Sequence, residues 1–368
     1  METKTNKYTL EIEDDDEYDL SDVDELFKVQ DVVGWYNKDL HGNYCVDEKH
    51  AKYVYLPANM SRVNFDLKRL HNDDIWKPQV EMKESIDSIL RWVTENCKDE
   101  EGKPKRPEAD FVCYRGLLYR VMCVPYENKE SLKICAIRTK GTTYLCQFFT
   151  EQNRTDKLAQ AENADLAKFT KWGHVFEHYM VSDEPGKQPD PSQPMSEYEE
   201  LNCVYRSQLG PHSLVYGAEI DGLSKKDDLQ NLFNARLMEL KTCRENPNPY
   251  SFSKYKLIKW WAQSILAKID SVVVGYRNDE GCVRSLEAMK VKDIPKKAKG
   301  WSAPKSMVFL KDFLNFVKHV MRDATETDIF EFVWYPGDMN YSGQKLPSGN
   351  ECNFFPVWFQ EWLASLPN

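Results

Sequence analysis

Apolar positions change their spacing several times along this chain, and each change marks an expected element. In "VEMKESIDSILRWVTENC" (80–97) they recur at three- and four-residue intervals, the period of an amphipathic helix, before the charged connection "KDEEGKPKRPE". β-Branched and aromatic residues then dominate. "DFVCYRGLLYRVMCV" (110–124) reads as a strand, and "LKICAIRTKGTTYLCQFF" (132–149) as two strands that turn at Lys140-Gly141. A helix is expected from about Ala161 to Met180, stopped by the proline-rich loop "SDEPGKQPDPSQP" (182–194). Two strands follow, "LVYGAEIDG" (214–222) and "ARLMELKT" (235–242), with one loop between them. A helix over about Ser253 to Ala267 precedes the apolar run "SVVVGYRN" (271–278), which suits a buried strand, and "KVKDIPKKAKGW" (290–301) reads as a surface loop. "SMVFLKDFLNFVKHVMRD" (306–323) gives a last long helix, ahead of aromatic-rich strand and turn segments. Strands and helices are interspersed without repeats or a clear boundary, so the pattern predicts one mixed α/β domain over 31–368.

Composition adds limits. A chain of 368 residues with 41% hydrophobic positions buries a substantial core. Ten cysteines without a CxxC pair or a leader read as reduced thiols of a cytosolic or nuclear protein, and no apolar run approaches the ~20 residues that span a bilayer. The protein is expected to be soluble and to act as a monomer. The net charge is −10, from 49 basic and 59 acidic residues, which at first argues against a nucleic-acid partner. Much of the excess lies in "EIEDDDEYDLSDVDE" (11–25), so residues 1–30 are expected to be solvated and partly disordered. Carboxylates gathered round a divalent ion also count as negative while being offset in the working protein. Net charge alone therefore excludes little.

The carboxylates of the two consecutive strands change the picture. Side chains two apart in a strand share a face, so Glu219 pairs with Asp221 and Glu239 with Lys241, while Ile220 and Leu240 turn the other way. Either pair alone is what any half-buried strand exposes. Both together, in strands expected to be neighbours, gather three carboxylates and one ammonium. Such crowding raises each proton affinity unless a cation intervenes, and an oxygen-only set suits Mg²⁺ or Mn²⁺. Asp followed by Glu-x-Lys on the next strand is an arrangement used by metal-dependent nucleases, whose metals clamp a phosphodiester and activate water.

Glu177 joins this set from the edge of an apolar helical stripe, Leu166, Phe169, Gly173, Phe176 and Met180; an ion pair at a helix edge is the plainer alternative. His174 to His178 also spells H-x-x-E-H, a zinc-peptidase pattern, but no third ligand follows. Arg115, beside Gly116 in an expected strand, is suited to bidentate phosphate binding, although a surface arginine needs no such role. Lys256, Lys259 and Gln263 share a face of their helix, opposite Tyr255, Ile258, Trp261, Ala262 and Ile265.

Taken in order, "YRG", "GHVFE", "GAEID", "ELK" and "KWWAQS", with "EPGKQPDPS" and "GYRN", resemble the motif series of the decapping exoribonucleases, the DXO family, including its fungal members that partner a nuclear 5′-to-3′ exoribonuclease. The likeness covers about Asp110 to Asn278. It implies two packed mixed β-sheets surrounded by helices, with an active-site pocket between them. It implies that Glu177, Asp221, Glu239 and the Leu240 carbonyl bind metal, that Glu219 holds a second ion or a metal-linked water, and that Arg115, Glu177, Lys241 and Gln263 hold substrate. Two ions, Mg²⁺ or Mn²⁺, are implied as cofactors. Tyr114 stands where the family carries tryptophan, so an aromatic is kept. The implied reaction is attack of water on a phosphate at an RNA 5′ end, releasing an incomplete guanosine cap, pyrophosphate or an NAD cap, with 5′-to-3′ degradation in some members. A partner exoribonuclease, residence in the nucleus or cytoplasm, and an exonuclease-stimulating role with a vestigial pocket remain open at this point.

Overall fold

The β-rich runs assemble into two sheets in the computed structural model, which describes residues 7–12, 19–77, 85–224 and 231–367. Among these residues the larger sheet has ten strands, in spatial order β1 (Tyr8–Glu11), β17 (Asn340–Lys345), β16 (Ile329–Trp334), β7 (Leu132–Thr139), β8 (Thr142–Phe148), β6 (Phe111–Tyr114), β11 (His212–Ile220), β10 (Glu200–Leu209), β2 (Phe27–Lys38) and β3 (Tyr44–Cys45). It is mixed, since β6 runs parallel to both β8 and β11 and the other pairs are antiparallel. The smaller sheet orders β5 (Phe65–Asp66), β15 (Cys282–Lys290), β14 (Ser271–Arg277), β13 (Leu237–Arg244), β12 (Gly222–Leu223), β4 (Tyr53–Val54) and β9 (Val181–Ser182), with β13 and β14 parallel.

Helices separate and flank the sheets. The main core joins inward residues of both, such as Tyr205, Tyr216, Val272 and Val274, to α3 (Arg115–Cys123), α7 (Ile258–Leu266) and α8 (Ala303–Val320). On the other face of the larger sheet, Val112, Cys135, Ile137 and Val215 pack under α2 (Asp87–Asn96) and α9 (Val357–Ser365). Leu240, Val273 and Val283 of the smaller sheet are covered by Trp172, Val175, Phe176 and Met180 of α5 (Ala164–Met180). Tyr216 and Tyr205 donate their hydroxyl protons to the carbonyls of Leu266 and Ala267, at 2.6 and 2.9 Å. These bonds satisfy the carbonyls that end α7 and tie that helix to the larger sheet.

Several expectations hold and several change. The hairpin turns at Lys140-Gly141, both with positive φ as a type I′ turn requires. The long strand expected over 110–124 is a four-residue strand followed by α3; Leu117, Leu118, Val121 and Met122 are all buried, which is a helical spacing rather than an alternation. The helix expected from about Ala161 to Met180 is α5, which begins at Ala164; a separate helix precedes it, α4 (Glu151–Glu162), capped by Thr150 accepting from the Asn153 N–H. The expected helix over Ser253 to Ala267 opens as α6 (Pro249–Phe252) and passes through a π-helical stretch, Ser253–Leu257, before α7. The two carboxylate strands are not neighbours in one sheet: β11 belongs to the larger sheet, β13 to the smaller. β2 and β15 carry no clear period and follow only from their pairing partners, whereas α9, in the tail expected as strand and turn, repeats Trp358, Phe359, Trp362 and Leu363 at helical spacing. Of the acidic segment, residues 1–6 and 13–18 lie outside the described residues. Its remaining residues form β1, the short helix α1 (Ser21–Leu26) and the start of β2.

Candidate active site

The chain leaves the larger sheet for the smaller one between Ile220 and Gly222. Glu219 is the penultimate residue of β11, Asp221 falls in the crossing, and β12 then pairs with β13 through Gly222↔Met238 and Leu223↔Leu237. Crossing plus pairing brings Glu239 and Lys241 beside Asp221 although their strands lie in different sheets. The Leu240 N–H donates to Asp221 Oδ2 at 2.6 Å, so the Leu240 main chain is held at this point.

Glu239 is 1% exposed and is gripped from two sides. Lys241 Nζ donates to its Oε1 at 2.5 Å and Arg115 Nη1 to its Oε2 at 3.3 Å. Burial alone would push its proton affinity up, but Lys241 and then Arg115 outweigh it and hold Glu239 below the usual carboxylate range. Burial works against the charge of Lys241 and Arg115 as well, yet Glu239, with Asp221, keeps both proton affinities raised. Arg115 is the first residue of α3, and its buried Nε has no hydrogen-bond partner.

Asp221 and Glu219 sit on the other side of this balance. Burial and then Glu239 push Asp221 well above the normal range, with Glu177 and Glu219 adding to the effect against Lys241. Glu219 is raised to about 7 by burial and then Glu200, with Glu177 adding and Lys77 and Lys38 opposing. Glu219 is accessible to solvent at the meeting point of two cavities, but the protein around it keeps bulk water from solvating its charge fully. One cavity, of about 360 Å³, is lined by Glu177 and Asp221 among others; the larger, of about 830 Å³, is lined by Lys38, Lys77, Arg91 and Arg115. Glu200 and Glu219 border both. Glu239 and Lys241 line neither, and Arg115 is the residue that joins Glu239 to the larger one. Gln263 is half-buried on α7 and borders neither cavity.

On α5, His174 lies between two carboxylates, with Nδ1 3.3 Å from Glu177 and Nε2 3.4 Å from Glu197. Burial opposes its charge, but those hydrogen bonds prevail and raise it to about 10. A protonated imidazole with both nitrogens engaged is no metal ligand, and His178 Nε2 is bonded to the Gln193 carbonyl at 3.0 Å, so the zinc pattern is spent on structure.

Among the described residues no three His, Cys, Asp or Glu side chains stand close enough together to hold a metal ion. The donor chemistry nevertheless fits a hard divalent cation: four carboxylates converge on one region, and crowding makes two of them hold protons strongly. Each of the other two is turned to an internal cation, Glu177 to His174 and Glu239 to Lys241 and Arg115. Sequence reasoning missed Glu200, Lys38, Lys77 and Glu197. Only the register Asn202↔Glu219 and Glu200↔Lys38 brings the first two to the site, and no local motif announces it.

Similarity to known proteins agrees with this geometry. A family model described as RAI1 like PD-(D/E)XK nuclease matches residues 31–360. The chain belongs to this family. In this RAI1-like nuclease Glu239-Leu240-Lys241 spells (D/E)XK, and Asp221 precedes it. The decapping and exoribonuclease protein of Homo sapiens is 31% identical over 343 residues, spanning 90% of this chain and 85% of that protein. The Mus musculus protein of the same name is 32% identical over 343 residues, 90% of this chain and 84% of that one. The crystal structure of Candida albicans Rai1 in complex with pU5-Mn²⁺ matches with a TM-score of 0.79 at 18% identity, covering 93% of this chain and 95% of that one. Scheffersomyces stipitis Rai1 in complex with (3′-NADP)⁺ and calcium ion gives 0.80 at 18% identity, covering 93% and 96%. At these identities the structural matches establish the fold: a single domain of two mixed sheets with surrounding helices.

Proposed function

We propose that this chain removes incomplete guanosine caps, 5′ pyrophosphate or NAD caps from RNA by hydrolysis of a 5′-end phosphate bond, followed by 5′-to-3′ removal of nucleotides, as part of RNA 5′-end quality control. The observation that carries the reading is the Arg115–Glu239–Lys241 assembly beside Asp221 and Glu219, at the junction of two cavities. Family membership and relatives named as decapping exoribonucleases support it.

Arg115 is suited to the scissile phosphate because its buried Nε has a proton to donate and no acceptor within the protein. Lys241 keeps its proton at neutral pH, so it serves as a fixed positive charge beside the phosphate rather than as a base. Gln263 is assigned to substrate by resemblance. Glu177, Asp221, Glu239 and the Leu240 carbonyl would hold Mg²⁺ or Mn²⁺, two ions in all, with Glu219 holding the second ion or a metal-linked water. A bound divalent ion supplies a more acidic water and offsets charge on the phosphate. Residence in the nucleus or cytoplasm and association with a 5′-to-3′ exoribonuclease belong to the same proposal.

The test is product analysis on RNAs differing only at the 5′ end (unmethylated guanosine cap, triphosphate, NAD cap, monophosphate and hydroxyl), each with Mg²⁺, Mn²⁺ or EDTA, beside matched DNA. Release of the cap or of pyrophosphate from RNA, dependent on the metal, is expected. Cleavage confined to DNA, or none with any substrate, overturns the reading.

A further inference from the structure

We propose that Lys38 and Lys77, bridged by Glu200, form a backbone-phosphate subsite that receives the downstream RNA strand in the larger cavity. This rests on the 5′-end reading above and deepens it by assigning the path of the strand. Glu200, at the start of β10, is buried and faces Lys38 at the end of β2 in the sheet register. Lys38 Nζ lies 2.9 Å from Glu200 Oε2, Lys77 Nζ donates to Oε1, and Asn202 Nδ2 donates to Oε2 at 3.3 Å. The main chain of Lys77 is anchored too, its N–H donating to Glu197 Oε2 at 3.0 Å.

The charge count points to a ligand. A buried carboxylate needs one cation to compensate it, and Glu200 has two. Among the described residues neither lysine has a second carboxylate within ion-pair distance, and Glu219, on the same cavity wall, attracts both only from further off, so the bridge itself carries a surplus positive charge. Each ammonium offers three N–H donors, which leaves capacity after the bond to Glu200. Arg115 and Arg91 line the same cavity. A strand held at Arg115 therefore shares its cavity with the lysine bridge. The smaller cavity does not offer such a path: Glu177, Asp183, Glu197, Glu199 and Asp221 line it against Lys52 and Lys187, and a polyanion is repelled there. Tyr44, Tyr114 and Tyr198 line the larger cavity and give bases apolar surface.

The experiment measures binding in EDTA, where nothing turns over, of uridine 5′-monophosphate and of a 5′-monophosphorylated five-nucleotide oligouridylate, across a salt series. Lys77→Gln, Lys38→Gln and Glu200→Gln are compared with the parent and with Lys103→Gln on the exposed surface, each variant checked by melting. For Lys77→Gln, and independently for Lys38→Gln, the pentanucleotide is expected to bind about tenfold more weakly, as for a lost bond to a charged group, and the mononucleotide at most about twofold more weakly. The salt slope for the pentanucleotide should fall by about 0.7, one phosphate contact to a single strand. Glu200→Gln leaves both ammoniums uncompensated, so it should bind the pentanucleotide more tightly than the parent even if it melts lower. A purely structural bridge gives the opposite pattern: losses equal for both lengths, or absent, and no gain for Glu200→Gln. That pattern, with a parent that binds 5′-phosphorylated RNA, overturns the subsite alone. A parent that binds neither ligand in EDTA, nor when Ca²⁺ replaces EDTA, overturns the 5′-end reading and the subsite with it.

Discussion

Asp221 accepts the Leu240 N–H while standing among carboxylates that repel its charge, so its two roles pull in opposite directions. A raised carboxylate proton affinity means that the ionised form costs stability, a cost that grows as pH rises from the unfolded value of ~3.9 towards the folded one. Asparagine keeps an oxygen for the Leu240 N–H and removes the charge. Asp221→Asn should therefore lose activity yet melt in EDTA at or above the parent temperature, while gaining less than the parent from added Mn²⁺. Thermal melts of both proteins with and without Mn²⁺ check this, and a variant that melts well below the parent in EDTA would make Asp221 a structural partner instead. Glu239 and Gln263 differ in the same way. Gln263→Ala should reduce the hydrolysis rate less than Glu239→Gln, since a neutral hydrogen bond to substrate is worth less than a charge held between Arg115 and Lys241 next to the reacting phosphate. Equal losses in kcat would assign Gln263 a larger role. At this scale the sequence was informative because residue type and two-residue spacing already declare chemistry. It was silent on Glu200, Lys38 and Lys77, which meet only through strand register.

Elements decide whether those side chains reach one another. α5 carries Glu177 and lies on the smaller sheet at Gly275, where an added Cβ would come within 2.4 Å of the Phe176 ring. Gly275→Ala should cost roughly 1–3 kcal/mol by overpacking and should lower activity as well, because the helix that moves holds Glu177. Denaturant melts and rates on one RNA test both halves; lost stability with intact activity would uncouple α5 from the site. At the start of β11, His212 is 2% exposed, its Nε2 bonds to Asn315 Oδ1 of α8 at 2.8 Å, and its buried Nδ1 has no partner. Burial lowers its proton affinity, with Lys318 and Lys311 acting in the same direction and Asn315 and Asp110 opposing. The unfolded chain then binds a proton that the folded one refuses, so this contribution is complete above about pH 6.5 and is lost as pH falls below it. His212→Gln should melt lower at pH 7 but lose less than the parent between pH 7 and 5.5; equal acid sensitivity would clear His212. Long periodic elements such as α8 were readable from spacing alone. The turn of Arg115 from strand to helix was not, because a run apolar at nearly every position fits both until buried positions are known.

For the whole molecule, the working arrangement is a crossing between two sheets: the larger presents Glu219 and Glu200, the smaller presents Glu239 and Lys241, and Asp221 is the hinge of the chain between them. The resemblance supplied this two-sheet architecture. Periodicity alone placed the two motif strands side by side, since local sequence records that strands are consecutive but not which sheet each joins. A site built this way concentrates uncompensated carboxylate charge, and the central claim is that a divalent cation completes it for hydrolysis at RNA 5′ ends. The most direct measurement is the rate of release of cap or pyrophosphate from 5′-capped and 5′-triphosphorylated RNA by the parent and Glu239→Gln, in Mn²⁺, Mg²⁺ and EDTA. Turnover by the parent in Mn²⁺ or Mg²⁺, none in EDTA, and loss of both metal-dependent rates in Glu239→Gln is the expected result; full turnover in EDTA, or a Glu239→Gln variant as active as the parent, contradicts it.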